Sequence, residues 1–460
     1  MISQNILQSY EMVIGLEVHV ELKTKTKIFC ACPTDFGAEP NTQCCPICMG
    51  MPGTLPVLNR EVVNFAVKAG LATNCKIACR SKQYRKNYFY PDLPKAYQIS
   101  QYDLPLCEHG YLDIETGKGT SRIGITRIHI EEDAGKLVHV EGKGTLVDCN
   151  RGGMPLIEIV SEPDIRSAEE AKAYLQKLRA VILYTGISDC RMNEGSFRCD
   201  VNISVRKKGE KAFGTRIECK NINSFQFAVK AIEYEFVRQV EAVESGEKLI
   251  QETRRFDQSS GKTYSMRSKE NAKDYRYFPD PDLPEIEISE AERERLNSEI
   301  PTLPDQRKTE YIEHFGLTSY AAEQLTIQRE IADYFEKAAA QTSHPTLVAN
   351  MILSDVARLL QPDETDIPIR PEHFAAIAQM AGEGRINSGT GRMLVQTLWK
   401  DDADPETVVR EKGLEQISDE SVLTGFVKEV MAEQEKSVAD YKAGKTAAFQ
   451  SLVGQVMKKT

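Results

Sequence analysis

Gly15-Leu16-Glu17-Val18-His19-Val20-Glu21-Leu22 alternates apolar and polar side chains without a break. On a β-strand successive side chains point to opposite faces. Leu16, Val18, Val20 and Leu22 therefore make an apolar face, and Glu17, His19 and Glu21 a polar one. Working outward, residues 12–22, 123–130, 156–160 and 199–205 are all rich in Val and Ile, with Gly, Pro and Asn in the gaps. Two helices interrupt the strands. One opens at Ser167 with Glu170 three residues on, a capping-box pattern, and carries Ala171, Tyr174, Leu175, Leu178, Val181 and Ile182 as a stripe before Gly186 closes it. The other spans 224–245. Asp280-Pro281-Asp282-Leu283-Pro284 ends the β-rich part. Beyond it, segments 321–340, 345–360, 371–380, 388–399 and 419–433 are helical in period. The pattern predicts an α+β protein: a β-rich domain with antiparallel sheet over 1–294, a helical domain over 295–405 and a small helical tail over 406–460.

At 460 residues the chain exceeds one hydrophobic core. Its 41% hydrophobic and 27% charged content is that of a globular protein, and no apolar run reaches the length of a membrane span. With no secretory pattern after Met1, a cytoplasmic location is expected. A net charge of −10 excludes a uniformly basic nucleic-acid coat but leaves room for a local basic patch.

Of 12 cysteines, Cys30, Cys32, Cys44, Cys45 and Cys48 crowd into one short segment. In a reducing compartment such a cluster reads as a metal site before disulfides. Two close pairs across a loop match tetrahedral zinc; by spacing alone either Cys44 or Cys45 could serve. Four thiolates leave no open position, so such a zinc is architectural. The polar face of Glu17 and His19, the run Glu131-Glu132-Asp133, and the polar alternation Asp200, Asn202, Ser204 together suit a hard cation, with Mg²⁺ the natural candidate; a solvated polar surface is the bland alternative. Between Arg80 and Lys95, Arg80, Lys82, Arg85, Lys86 and Lys95 interleave with Tyr84, Tyr88, Phe89 and Tyr90. That pattern suits phosphates and stacked bases, or equally a solvated loop with its rings tucked into a core. Arg254, Arg255 and the stretch 262–276 are weaker basic patches. The chain has no G-x-x-x-x-G-K-[ST] loop, no G-x-S-x-G elbow and no cysteine after Met1, so it carries no motif for hydrolysing glutamine.

The stretches 13–22 (VIGLEVHVEL), 85–94 (RKNYFYPDLP), 97–102 (YQISQY), 130–136 (IEEDAGK), 155–163 (PLIEIVSEP), 194–200 (EGSFRCD) and 274–282 (DYRYFPDPD) closely resemble the B subunits of the bacterial aspartyl/glutamyl-tRNA(Asn/Gln) amidotransferases. The resemblance implies a β-rich cradle domain, a helical domain and a tail like that of a small tRNA-binding protein family. It implies a heterotrimer with a glutaminase (amidase) A subunit and a small C subunit. It also implies ATP-dependent phosphorylation of the side-chain carboxylate of Glu-tRNA(Gln) or Asp-tRNA(Asn), then amidation by ammonia channelled from the glutaminase. Carried over by position, Mg²⁺ falls on His19 and Glu132, with Glu17 and Asp200 close by, and zinc on Cys30, Cys32, Cys45 and Cys48, leaving Cys44 spare. Lys86 resembles a residue near the channel mouth and active site. Arg85, Arg151, Lys220 and Arg255 are assigned to phosphate or acceptor-end binding from their charge. Related chains usually continue past residues 453–457 through a further helix, so a shortened tail is expected. Two rivals are a non-catalytic zinc-containing tRNA-binding module, which leaves the acidic cluster unused, and a ligase acting on a free amino acid, which leaves the tail without a purpose.

Overall fold

The strand foreshadowed by the 15–22 alternation lies at the centre of the largest sheet. A computed structural model describes residues 3–268, 275–361, 364–416 and 420–459. Residues 269–274 of the basic stretch, Asp274 of the family motif and residue 419 of the last helical segment lie outside the described residues. The strands are β1 (Tyr10–Glu21), β2 (Lys76–Ile77), β3 (Arg80–Ser81), β4 (Tyr84–Asn87), β5 (Tyr97–Ser100), β6 (Cys107–Thr116), β7 (Gly119–Glu132) and β8 (Lys136–Val140). They continue with β9 (Gly144–Asp148), β10 (Pro155–Ser161), β11 (Phe197–Lys207), β12 (Ile217–Ile222), β13 (Glu252–Asp257), β14 (Lys262–Ser268), β15 (Phe278–Pro279) and β16 (Ile286–Glu287). Nine of them form one sheet in the order β14-β13-β12-β11-β1-β10-β7-β6-β2. Smaller sheets are β15-β4-β5, β16-β3 and β8-β9.

Every pairing in the large sheet is antiparallel except β12 with β13. A parallel pair needs a crossover, and α4 (Phe225–Glu244) supplies it. Both helices read from the sequence are present. In α3 (Ala168–Thr185) the Ser167 hydroxyl accepts from Glu170 N at 3.1 Å, and Gly186 ends the helix with φ 72°. The Glu170 carboxylate accepts from Arg166 N, not from Ser167 N, so the box is offset by one residue. Ser224 caps α4 through Phe227 N.

Leu16, Val18 and Val20 of β1, Ile128 and Ile130 of β7, Ile157 and Ile159 of β10, and Val201 and Ile203 of β11 are buried in one core. Residues of α2 (Arg60–Ala72), α3 and α4 belong to the same core, Val67, Leu178 and Ile232 among them. Each aliphatic side chain fully buried there contributes roughly 1.5–3 kcal/mol. The opposite face of the sheet is left for polar side chains.

The chain forms two compact units, Met1–Leu303 and Pro304–Thr460. The boundary expected at 294/295 cuts through α5 (Glu290–Ser298), whose Leu296 is buried in the first unit's core. Arg60 pairs with Glu292, and Lys68 with Glu299 at 2.7 Å, tying α5 to α2. The second unit contains α6 (Pro304–Phe315), α7 (Ser319–Leu325), α8 (Arg329–Ala339), α9 (Pro345–Ser354), α10 (Pro371–Gly382) and α11 (Ser388–Leu398). They are followed by α12 (Pro405–Glu411), α13 (Glu420–Glu433), α14 (Glu435–Lys442) and α15 (Thr446–Lys459). Tyr311, Phe315 and Phe335 pack ring on ring at its centre. The divide expected at 405/406 falls at the start of α12. That helix packs on α10, buries Val409, and is bound through Glu406 to Arg385, which also reaches Glu415. The last three helices pack on one another. No described helix is long and apolar enough to cross a membrane.

Candidate functional site

Register decides which side chains share the polar face. His19 lies opposite Glu158, which lies opposite His129; on the other side of β1, Glu17 lies opposite Asp200. Two groups of donor atoms result: His19, Glu131 and Glu158, and next to them Glu17, Asp200 and Glu218. His19 Nε2 is 3.6 Å from Glu131 Oε1 and 3.7 Å from Glu158 Oε2. Donors around Mg²⁺ at about 2.1 Å sit about 3 Å apart when adjacent, so a small contraction closes this set on a cation. His129 is buried behind it, with Nε2 3.3 Å from Glu158 and 3.7 Å from Glu131. Burial disfavours the charged imidazole, but Glu158 and Glu131 outweigh it and raise His129 to about 9. Burial likewise works against the Glu158 carboxylate, and His129, His19 and Lys86 together hold it well below its usual range.

In the second group burial, then Glu158, Asp200 and Glu218, push the Glu17 carboxyl up. Asn202 Nδ2 donates to Glu17 at 2.8 Å. Lys220 pairs with Asp200 and reaches Glu218 at 3.2 Å. So many carboxylates with few cations is an arrangement that a divalent ion relieves.

The four residues expected around Mg²⁺ are thus divided. His19 falls in one group, Glu17 and Asp200 in the other, and Glu132 in neither. Glu132 follows the apolar-face alternation of Ile128 and Ile130, so its carboxylate leaves the polar face. It pairs with Lys95 and accepts from Ile99 N at 2.8 Å. Glu131, its neighbour, stands beside His19 instead. The sequence reading does not single out Glu131 alone, nor Glu158, Glu218 or His129. His129, Glu158 and Glu218 are each a lone polar residue between buried apolar ones, such as Ile157-Glu158-Ile159, and Glu131 follows the buried Ile130; that is the available signal.

Lys86, on β4, has Nζ 5.0 Å from the Tyr275 ring centre and 5.9 Å from that of Tyr88. Burial opposes its charge, but Glu131 and Tyr277 raise it above the ordinary lysine value. Lys86 in turn helps to lower both Glu131 and Glu158 of the first acidic group. Arg85 stacks 4.4 Å over Tyr97 and binds Asp280 and Asp282, each at 2.8 Å. Arg151 donates to Ala134 O and Gly135 O. Arg255 is exposed and paired in register with Lys220. A cleft of about 640 Å³ runs beside Asp200, lined also by Glu21, Arg151, Arg198 and Asn221.

The Sγ atoms of Cys30, Cys32, Cys45 and Cys48 all lie within 4.8 Å of one another. Thiolates 2.3 Å from a tetrahedral zinc stand about 3.8 Å apart, so the set fits such an ion. Cys45 N donates to Cys48 Sγ at 3.1 Å, and Cys44 turns away to Asn41 O. The Cys48 thiol is lowered to about 5, first by a hydrogen bond from Cys30, with Cys45 and the Lys27 ammonium helping against burial.

Residues 12–294 match the family model described as the GatB/GatE catalytic domain, and residues 333–460 the one described as the GatB domain. The chain belongs to the GatB family. A Caldicellulosiruptor saccharolyticus protein, named as the B subunit of aspartyl/glutamyl-tRNA(Asn/Gln) amidotransferase, is 56% identical over 458 residues, 98% of this chain and 95% of that protein. A protein of the same name from Carboxydothermus hydrogenoformans is 54% identical over 461 residues, covering 99% of this chain and 96% of its own. A third, from Geotalea daltonii, is 53% identical over 456 residues, with 98% and 95% covered. The GatB catalytic match spans both acidic groups, the four cysteines and Lys86.

Proposed function

We propose that this chain is the transfer subunit of a tRNA-dependent amidotransferase. It acts with a glutaminase A subunit and a small C subunit on Glu-tRNA(Gln), Asp-tRNA(Asn) or both. The observation that carries the reading is the pair of carboxylate groups on one sheet face of a GatB-family catalytic domain, with Lys86 beside them.

A carboxylate is a poor electrophile and needs a better leaving group before ammonia can displace it. ATP donates its γ-phosphoryl group to the substrate's side-chain carboxylate, giving an acyl phosphate and ADP. Ammonia then attacks the acyl carbon, loses a proton, and inorganic phosphate departs with the electrons of the C–O bond. Mg²⁺ held by the acidic groups would neutralise charge on the transferring phosphoryl group. His19, Glu131 and Glu158 would hold one ion, and Glu17, Asp200 and Glu218 a second. Lys86, kept charged by Glu131, places a positive charge at the reacting carboxylate. The four cysteines would hold a structural zinc, whose closed set of thiolates leaves it no part in the chemistry.

The test is the reconstituted heterotrimer given Glu-tRNA(Gln) and Asp-tRNA(Asn) separately, with amidated product as the readout. Glu131→Gln and Glu158→Gln should each lower ATP-dependent amidation at least about 100-fold, with glutamine or free ammonia as donor, and leave tRNA binding near wild type. Full amidation by either variant, or ATP turnover that ignores misacylated tRNA in the wild type, would remove the reading and favour a non-catalytic tRNA-binding module.

A further inference from the structure

Among the described residues Lys27 is the one fully buried lysine of the first unit, and the chemistry above makes no use of it. Its Nζ donates to Gly152 O at 2.7 Å and Cys149 O at 3.3 Å, and lies 3.8 Å from Cys48 Sγ. Its backbone N–H donates to Cys32 O, closing the turn that holds Cys30 and Cys32, and Ile28 N donates to Gly153 O. Among the described residues, no carboxylate pairs with this ammonium. A buried cation without a counter-charge is strongly disfavoured, and two carbonyl dipoles offset only part of the cost. The nearest source of negative charge is the cysteine cluster. Zn²⁺ with four thiolates carries a net charge of −2, which also needs compensation in a shielded site.

We infer that Lys27 is the counter-charge of the metal-bound four-cysteine cluster, seated on Cys48, and that the same ammonium clamps residues 149–153 to the metal. The inference rests on the zinc reading of that cluster. Its geometry gives a mechanical consequence. The clamped loop carries Arg151 and runs into β10, the strand of Glu158; Gly153 sits with a would-be Cβ 3.5 Å from Cys48 Cβ and 4.0 Å from Glu132 Oε2. Lys27 therefore acts as a positioning residue, through which the order of the metal knuckle reaches the strand bearing a candidate Mg²⁺ ligand. A hydrogen-bonded ammonium also withdraws charge from the sulfur it touches, so Cys48 should be the least nucleophilic of the four bound thiolates.

The experiment uses the full chain in its complex, zinc-loaded, with metal content measured first. Iodoacetamide then alkylates the thiolates, and each cysteine is followed by mass spectrometry. Lys27→Met should speed alkylation of Cys48 about tenfold, the scale of one charge-assisted hydrogen bond, while Cys30, Cys32 and Cys45 change less than about twofold. Lys27→Arg should stay near wild type. Lys27→Gln keeps N–H donors for the two carbonyls but loses the charge, and it decides the matter where Lys27→Met does not fold. A wild-type rate at Cys48 in Lys27→Gln overturns the inference, and so does equal acceleration at all four cysteines, which marks a loosened knuckle only. Wild-type complex without zinc overturns the zinc reading itself, and the metal measurement shows this before any alkylation.

Discussion

At the scale of single residues, His129 and Lys27 share a logic: each is buried, each touches a group expected to hold a metal, and neither is itself in the ligand set. His129 presents Nε2 to the same Glu158 Oε2 that His19 approaches from the open side. Donors behind a ligand commonly set its orientation, and losing one costs about 10–100-fold in metal affinity. His129→Ala should therefore weaken Mn²⁺ binding by about that factor, read by electron paramagnetic resonance, with tRNA affinity unchanged. Unaltered Mn²⁺ affinity would leave His129 as core filling. The placing of Glu131 and Glu132 shows what was legible in the sequence. The alternation argument that sorted β1 also sorts β7: Ile128 and Ile130 face the core, so His129 and Glu131 face away from it. Position in a family motif points to Glu132, whereas strand periodicity puts Glu131 on the face of His19. What periodicity could not supply is register. Nothing local in β10 says that Glu158 lies opposite His19, because pairing across such a span of chain is fixed by the whole sheet.

At the scale of elements, strands and helices with strong periodicity are where the sequence placed them, because a one-sided apolar pattern has only one way to be buried. β1, β7, β10, β11, α3 and α4 are of this kind. The short pieces β2, β3, β15 and β16 have too few residues to carry a period, and they appear only through their partners. Close approach is another property no pattern reveals. A Cβ on Gly110 of β6 would stand 2.3 Å from Cys75 Sγ and 2.7 Å from Thr73 O, and the second is backbone that cannot swing aside. Gly110→Ala should separate β6 from the turn after α2 and destabilise the first unit by about 1–3 kcal/mol, as overpacking does. Denaturant unfolding of the full chain measures it; an unchanged midpoint would show that the turn yields freely.

At the scale of the whole molecule, two units with separate cores allow a division of labour. The first unit holds every candidate ligand group, while α13, α14 and α15 of the second hold none among the described residues. Selecting one tRNA from many needs contacts far from the charged end. Removing residues 420–459 should raise the KM for misacylated tRNA about tenfold or more and leave tRNA-independent glutamine hydrolysis by the glutaminase intact. The cut is placed after α12 because that helix packs on α10. Unchanged KM and unchanged discrimination in the truncated complex would move recognition elsewhere.

The central place of β1 also sets a timetable for the ribosome. It is made well before its two neighbours, β10 and β11, which end at Ser161 and Lys207. At roughly 5–20 residues per second, the nascent chain carries β1 for on the order of 10–30 s with both hydrogen-bonding edges open and its row of Leu and Val uncovered. A strand left unpaired while more than a hundred further residues are added is a target for aggregation throughout that interval. The polar alternation of Glu17, His19 and Glu21 thus has a second duty before any ligand arrives: it keeps one face of the waiting strand charged, and like charges on neighbouring copies discourage them from pairing edge to edge.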